Sequence, residues 1–126
     1  MKNPVNWFEI AVDDMARAKA FYEAVFGAPL QDFALSDTED EFAMFGTDYG
    51  QYGIGGMLYC DPTQNIMRGN GITLYFSCED CAEEAARAAT HGGKILQSKQ
   101  EIGDGNGFCA LILDTEGNRI GLHSQK

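Results

Sequence analysis

The chain repeats itself weakly at a spacing of 66 residues. Residues 8–27, FEIAVDDMARAKAFYEAVFG, align at that spacing with residues 74–93, LYFSCEDCAEEAARAATHGG. The matched positions include a helix-capping carboxylate, a glycine that ends the helix and a residue pair in the closing strand: Asp14 and Asp80, Gly27 and Gly93, and Ile54-Gly55 and Ile120-Gly121. Agreement of so many different features at one offset predicts two copies of one structural unit.

Each copy reads as a strand, a helix and three further strands. The opening strand shows alternating apolar residues, a carboxylate suited to cap a helix follows it, and turn residues separate the later segments. The predicted elements are strands at 5–12 and 72–78, helices at 15–26 and 81–91, and extended segments at 30–37, 41–47, 53–59, 94–100, 107–113 and 119–124. The sequence therefore predicts an α+β fold of two tandem βαβββ modules, which pack together because a lone module leaves one sheet face bare.

Both modules belong to a single domain that spans residues 1–126. Module 1 covers about 1–60, a linker covers about 61–71, and module 2 covers about 72–126. A chain of 126 residues matches the usual size of one domain, and its 44% hydrophobic content is enough for a core.

The chain is acidic, with 9 Lys and Arg residues against 19 Asp and Glu residues and a net charge of −10. Such a surface repels phosphate backbones and anionic headgroups, so nucleic-acid and membrane-surface binding are disfavoured. No apolar run approaches the ~20 residues of a membrane span, and no stretch resembles a signal peptide. We therefore expect a cytoplasmic protein whose four cysteines are reduced.

The opening segment at 8–27 and the closing segment at 114–122, DTEGNRIGL, carry a family resemblance. They resemble the opening strand and helix and the closing turn and strand of the vicinal oxygen chelate superfamily, with Thr115 where proline is usual. That superfamily includes glyoxalase I, bleomycin-resistance proteins and extradiol dioxygenases. The resemblance implies that the two modules curl as a mixed sheet around a cup-shaped cavity and that a short chain pairs as a homodimer.

Enzymes of this superfamily hold a divalent metal with side chains on the first and last strands of each module. The resemblance carries these positions onto Trp7, Gly55, Thr73 and Gly121. Indole and glycine offer no ligand atom and a lone hydroxyl is a poor ligand, so no metal and no other cofactor is predicted. The missing side chains at the two glycines are expected to leave room in the cavity.

Strand alternation names the side chains that line the cavity if the resemblance holds. The predicted ligand-binding residues are Trp7, Met57, Tyr59, Thr73, Tyr75 and Arg119. Aromatic, soft and a few polar groups suit a small aromatic or apolar ligand held by one or two hydrogen bonds. Glu9 and His123 are the predicted catalytic residues, as an acid–base pair; the alternative for Glu9 is a carboxylate on a solvated sheet face.

The sequence is compatible with four hypotheses about function. The leading hypothesis is a small-molecule-binding protein that uses no metal, like the drug-sequestering bleomycin-resistance proteins. The second is a lyase or isomerase that uses Glu9 and His123, and the third is a metal-dependent glyoxalase or dioxygenase. The fourth is a partner-binding domain with Phe33, Phe42 and Phe45 at its interface, although core packing explains these three residues equally well.

Overall fold

The computed structural model describes residues 7–34, 39–46, 48, 50–62 and 72–126. The elements run in the predicted order, twice βαβββ: β1 Trp7–Ala11, α1 Met15–Phe26, β2 Gln31–Phe33, β3 Glu41–Met44, β4 Gly55–Cys60, β5 Leu74–Ser77, α2 Cys81–Thr90, β6 Lys94–Glu101, β7 Phe108–Leu113 and β8 Arg119–Ser124. The predicted α+β fold is confirmed. Residues 5–6, 35–37, 47 and 63–71, which belong to three predicted strands and the linker, lie outside the described residues.

Each module forms its own four-stranded mixed sheet. Sheet 1 has the strand order β1-β4-β3-β2 and sheet 2 has the order β5-β8-β7-β6. In each sheet the first strand of the module lies at the edge and runs parallel to the last strand of the same module, and the remaining neighbours are antiparallel. The first and last strands, which carry the expected site residues, are therefore side by side in both modules.

The two modules differ in length between the start of the helix and the last strand, and α1 with 12 residues is two residues longer than α2 with 10. Val12 N–H donates to the carbonyl oxygen of Tyr59 at 2.9 Å, and Cys78 N–H donates to that of His123 at 2.7 Å. The first strands are thus equivalent at an offset of 66 residues, whereas the last strands are equivalent at 64. The alignment of Ile54-Gly55 with Ile120-Gly121 is wrong, because module 1 holds two more residues before its last strand.

Helix α1 forms where the local signals predicted it. The Asp14 side chain accepts a hydrogen bond from Arg17 N–H at 3.0 Å, and Gly27 ends the helix in the left-handed conformation at φ 66°. The helix buries one apolar stripe against the sheets: Met15, Ala18, Phe21, Tyr22 and Val25. Among the described residues, neither helix is long and apolar enough to cross a membrane.

Aromatic side chains from both modules meet in the core. Phe26 of α1 stacks on Phe76 of β5 with ring centroids 4.8 Å apart, and Phe76 also meets the ring edge of Phe8 at 5.6 Å. Phe45 packs on Phe8 at 5.5 Å and on Phe76 at 5.4 Å. Phe45 therefore serves core packing, the second of the two explanations that its sequence position left open.

A turn of module 2 holds module 1 through two buried carboxylates. Asp114, which is 4% exposed, accepts hydrogen bonds from the Tyr22 hydroxyl at 2.7 Å and from the backbone N–H groups of Glu116 and Asn118 at 2.8 and 2.7 Å. The Asn118 amide donates to Asp114 at 2.9 Å and to the carbonyl oxygen of Ala11 at 3.0 Å. The turn between β7 and β8 is thereby fixed to β1 and α1.

Glu116 makes the second connection from the same turn. Its Oε1 accepts the backbone N–H groups of Asp13 and Asp14 at 2.9 and 3.0 Å, and the Arg17 guanidinium donates to both carboxylate oxygens at 2.7 and 2.8 Å. Burial alone raises the pKa of Glu116, but the hydrogen bonds from Arg17, Asp14, Thr115 and Asp13 outweigh it and lower the pKa to about 2. The ionised form is therefore the one that folding favours.

Replacing Glu116 by Gln tests this connection. The folded-state pKa lies below the ordinary value of 4.5, so the carboxylate stabilises the fold fully above about pH 5 and loses that contribution as the pH falls toward 2. We expect Glu116→Gln to lower the free energy of unfolding by about 2 kcal/mol at pH 7 and to flatten its pH dependence between pH 5 and 3. Urea unfolding of both proteins at several pH values measures this; parallel pH profiles would contradict it.

The Tyr22 hydroxyl gives a second, smaller test. Tyr22→Phe keeps the buried ring and removes one donor to the buried Asp114 carboxylate, so we expect a loss of about 1–2 kcal/mol. Tyr52→Phe is the matched control, because Tyr52 is 99% exposed, and it should change stability by less than about 0.5 kcal/mol. Equal effects of the two substitutions would show that the bond to Asp114 contributes nothing.

Candidate functional site

The face of each sheet that points away from the helices is called its open face here. In sheet 1 the core residues Ile10 and Leu58 point toward the helices, so alternate residues point the other way. The open face of sheet 1 thus presents four of the residues predicted from the sequence: Trp7, Glu9, Met57 and Tyr59. In sheet 2 the same alternation gives Tyr75, Ser77, Arg119, Gly121 and His123.

Trp7 organises the open face of sheet 1. It lies directly opposite Gly55, and a Cβ atom on that glycine would be 3.1 Å from Cζ3 of the indole. The indole Nε1 donates to Oε2 of Glu9 at 3.3 Å. Glu9 itself is exposed in the chain, not shielded from solvent. The indole therefore covers the glycine and orients the neighbouring carboxylate.

Two further residues of this face were missed in the sequence. Phe42 lies opposite Tyr59 and Met44 lies opposite Met57 in the antiparallel pair of β3 and β4. Both are partly buried, and they widen the apolar surface beside Trp7. The side chains of β3 alternate between the two faces of the sheet, which was the available signal. Which of them lie on the open face depends on the register of β3 with β4, and the sequence does not give that register.

Sheet 2 repeats the combination of an aromatic residue and a glycine. Tyr75 of β5 lies opposite Gly121 of β8, and a Cβ atom on Gly121 would be 2.6 Å from Cε1 of the Tyr75 ring. Gly121 is buried while Tyr75 is 55% exposed. The space expected at Gly55 and Gly121 is therefore occupied by the rings of Trp7 and Tyr75. Thr73 precedes β5 and Arg119 begins β8, both partly buried.

His123 lies in a row across sheet 2, with Ser77 on one side and Cys109 on the other. Its Nε2 is 2.8 Å from the carbonyl oxygen of Asn106, an acceptor, so Nε2 carries a proton in this contact. Glu9 and His123 lie on different sheets, and each has a partner within its own module. Within the single chain, Glu9 and His123 are not joined by a direct hydrogen bond.

Comparison with known proteins agrees with this architecture. The family model of the Glyoxalase/Bleomycin resistance protein/Dioxygenase superfamily matches residues 5–122. The chain belongs to this superfamily. The resemblance to the vicinal oxygen chelate proteins is thereby confirmed at the level of the family. A search of curated proteins found no match.

Several solved structures share the fold. Glyoxalase I from Zea mays is 22% identical with a TM-score of 0.77, over 97% of this chain and 46% of that chain. Glyoxalase I from Leishmania major is 18% identical with a TM-score of 0.71, over 98% and 88%. A glyoxalase/bleomycin resistance protein from Albidiferax ferrireducens T118 is 20% identical with a TM-score of 0.70, over 95% and 98%. The chain spans about half the length of the Zea mays enzyme.

The metal that the superfamily implies does not fit the residues present. Since the last strands are equivalent at an offset of 64, the β4 residue that corresponds to Gly121 is Met57, not Gly55. Trp7, Met57, Thr73 and Gly121 then offer an indole, a thioether, a hydroxyl and no side chain, which is not a set of His and carboxylate ligands. Within the described part of the chain, no three His, Cys, Asp or Glu side chains are placed to hold a metal ion.

The ring over Gly121 makes a direct prediction. Gly121→Ala forces the Tyr75 ring to move, so we expect a loss of about 1–2 kcal/mol in stability and little loss in the Tyr75→Ala background. Gly46→Ala is the matched control, because its Cβ would meet no heavy atom within 4 Å. Thermal and urea unfolding measure all four variants. An equal cost of Gly121→Ala in both backgrounds would contradict the contact.

Proposed function

We propose that this protein binds a small aromatic or apolar molecule on its open faces and does so without the metal ligands of its superfamily. The observation that carries the proposal is the aromatic ring placed over a glycine in both modules: Trp7 over Gly55 and Tyr75 over Gly121. Each ring stands where the parallel first and last strands meet. A superfamily site that offers flat π surfaces in place of metal ligands favours stacking over chelation.

The surroundings of the rings support the same ligand class. Met57 and Met44 are flexible, polarisable side chains that adapt to apolar ligands of varied shape. Tyr59 and Phe42 add aromatic surface beside them. Glu9 and Arg119 are the polar groups available to fix a ligand's orientation by one or two hydrogen bonds.

The proposal includes a homodimer. Apolar side chains remain exposed in the single chain, among them Ile72 at 78%, Tyr75 at 55% and Ile54 at 45%. A second copy would cover part of this surface and would allow open faces from different chains to enclose one ligand. Light scattering after size-exclusion chromatography measures the mass; a monomer at micromolar concentration would remove this part of the proposal.

A binding role is better supported than catalysis by Glu9 and His123. An acid–base reaction needs both groups at one ligand, and the two lie on separate sheets. Their catalytic assignment stays a prediction, in which Glu9→Gln abolishes any turnover while the fold is kept. Wild-type turnover in that variant would end the assignment.

Trp7 provides an internal probe, because it is the only tryptophan in the sequence. We expect neutral aromatic compounds such as indole and naphthol to change its fluorescence saturably and to shift the ¹³C-methyl signals of Met57 and Met44. Trp7→Leu should weaken binding roughly five- to tenfold, because base- or ring-stacking on an aromatic side chain contributes about 1–3 kcal/mol elsewhere.

Ile95→Ala is a suitable control for that titration. Ile95 is 37% exposed and pairs with the buried Ile112, so it lies on the helix side of sheet 2 and not on an open face. Its substitution should leave the affinity unchanged. A panel of aromatic compounds that leaves Trp7, Met44 and Met57 unaffected in folded protein would overturn the proposed function.

A further inference from the structure

A groove lies at one end of sheet 1, where β2 and β3 meet the first residue of α1. Its volume is about 270 Å³. Asp32 and Glu41, which line it, pair in register with Ala43 and Cys60 and thus point to the helix side of the sheet. Phe33 and Phe42 also line it and lie on the open-face side, so the groove wraps around the β2 edge and shares Phe42 with the open face. Trp7, Met44 and Met57 do not line it.

The wall of the groove is mainly apolar. Met15, Phe33, Ala34 and Phe42 line it, and the rings of Phe33 and Phe42 meet edge to face with centroids 5.9 Å apart. Phe33 is 43% exposed although it lies in a strand beside another aromatic residue. An apolar body that covered these side chains would remove them from water, which is the main favourable contribution to binding at such a surface.

The charged residues that line the groove are all acidic. Asp32, Asp40 and Glu41 line it together with the apolar residues. Lys19 approaches Asp32 at 2.8 Å, whereas the nearby Arg17 is directed to Glu116. Partial burial raises the pKa of Asp40, and the adjacent Asp61 carboxyl raises it further. The positive end of the α1 dipole is offset by Asp14 at the N-cap.

We propose that this groove is a second binding site and that it takes a small organic cation with an apolar body, such as an arylalkylammonium ion. The apolar body packs on Met15 and Phe33, and the ammonium group lies beside Glu41 and Asp40, because Asp32 is already paired with Lys19. The volume is below the roughly 300–1,000 Å³ of pockets for drug-sized ligands, so the ligand is small. Neutral and anionic compounds of the same shape lack the charge complementarity.

Methionine methyl groups distinguish the two sites in one spectrum. Met15 lines the groove, whereas Met44 and Met57 lie on the open face of sheet 1. We would titrate [methyl-¹³C]methionine-labelled protein with phenethylammonium, 2-phenylethanol and 3-phenylpropionate, which share a phenyl ring and differ in charge. We expect phenethylammonium to shift the Met15 signal saturably, the alcohol to bind roughly two- to fivefold more weakly or worse, and the carboxylate to leave the signal in place.

The results that overturn the proposal are equally distinct. Equal affinity for the alcohol and the ammonium ion would show an apolar groove without charge recognition. A Met15 signal that does not move while Met44 and Met57 shift would place the cation on the open face. In that case the proposed function would stand and the groove would not be a site.

Charge-neutral variants identify the carboxylates involved. Glu41→Gln and Asp40→Asn should each weaken phenethylammonium binding roughly two- to fivefold, and sodium chloride should reduce that difference. Glu101→Gln is the matched control, since Glu101 is an exposed residue of β6 in the other module and its loss changes the net charge equally. An effect of the control equal to that of Glu41→Gln would mean that only the overall charge of the protein attracts the cation.

Discussion

The fold depends on how one turn of module 2 ties the two modules together. Asp114 and Glu116 sit in the turn between β7 and β8, and their carboxylates receive donors from the segment between β1 and α1, from Arg17 and from Tyr22. A buried carboxylate costs free energy unless it is hydrogen-bonded. The bonds across the modules therefore offset the desolvation of Asp114 and Glu116. The arrangement sets the position of β1, and β1 carries Trp7 and Glu9. The open face of sheet 1 is thus positioned by a contact about 100 residues away in sequence.

The pairing of an aromatic residue with a glycine has a consequence for the chemistry of the site. A carboxylate at Gly121 would need the space that the Tyr75 ring occupies, and a side chain at Gly55 would meet Trp7 and the carbonyl oxygen of Gly46. At Gly121, the position that corresponds to a metal ligand of the superfamily, a ligand side chain therefore cannot be added without a second change nearby. Glycine and ring are a coupled pair, and this coupling favours retention of a stacking surface once it has formed.

Local signals were enough to predict the helices but not the sheet register. The bounds of α1 follow from Asp14, an apolar stripe and Gly27, all within one segment, and the structure confirms them. The equivalence of the last strands was misjudged because it depends on a two-residue difference in the length of intervening chain, which no local pattern records. The ring of Tyr75 over Gly121 and the bond from Tyr22 to Asp114 depend on that long-range geometry. Alternation correctly placed Trp7 and Glu9 on one face, yet it could not bring in Phe42 from another strand.

The number of donors around each carboxylate separates structural roles from binding roles in this acidic chain. Glu116 is buried and accepts hydrogen bonds from two backbone amides, from Arg17 and from Thr115, so its charge stabilises the fold and is not accessible to a ligand. Glu9 is exposed and accepts a long bond from the Trp7 indole, which leaves its oxygens accessible beside an aromatic surface. Partial burial and the adjacent Asp61 carboxyl raise the pKa of Asp40, and a cation near the two carboxyls relieves their repulsion. Carboxylates thus stabilise the contact between the modules where they are buried. Where they are exposed, on the open face of sheet 1 and in the groove, their negative charge is available to ligands.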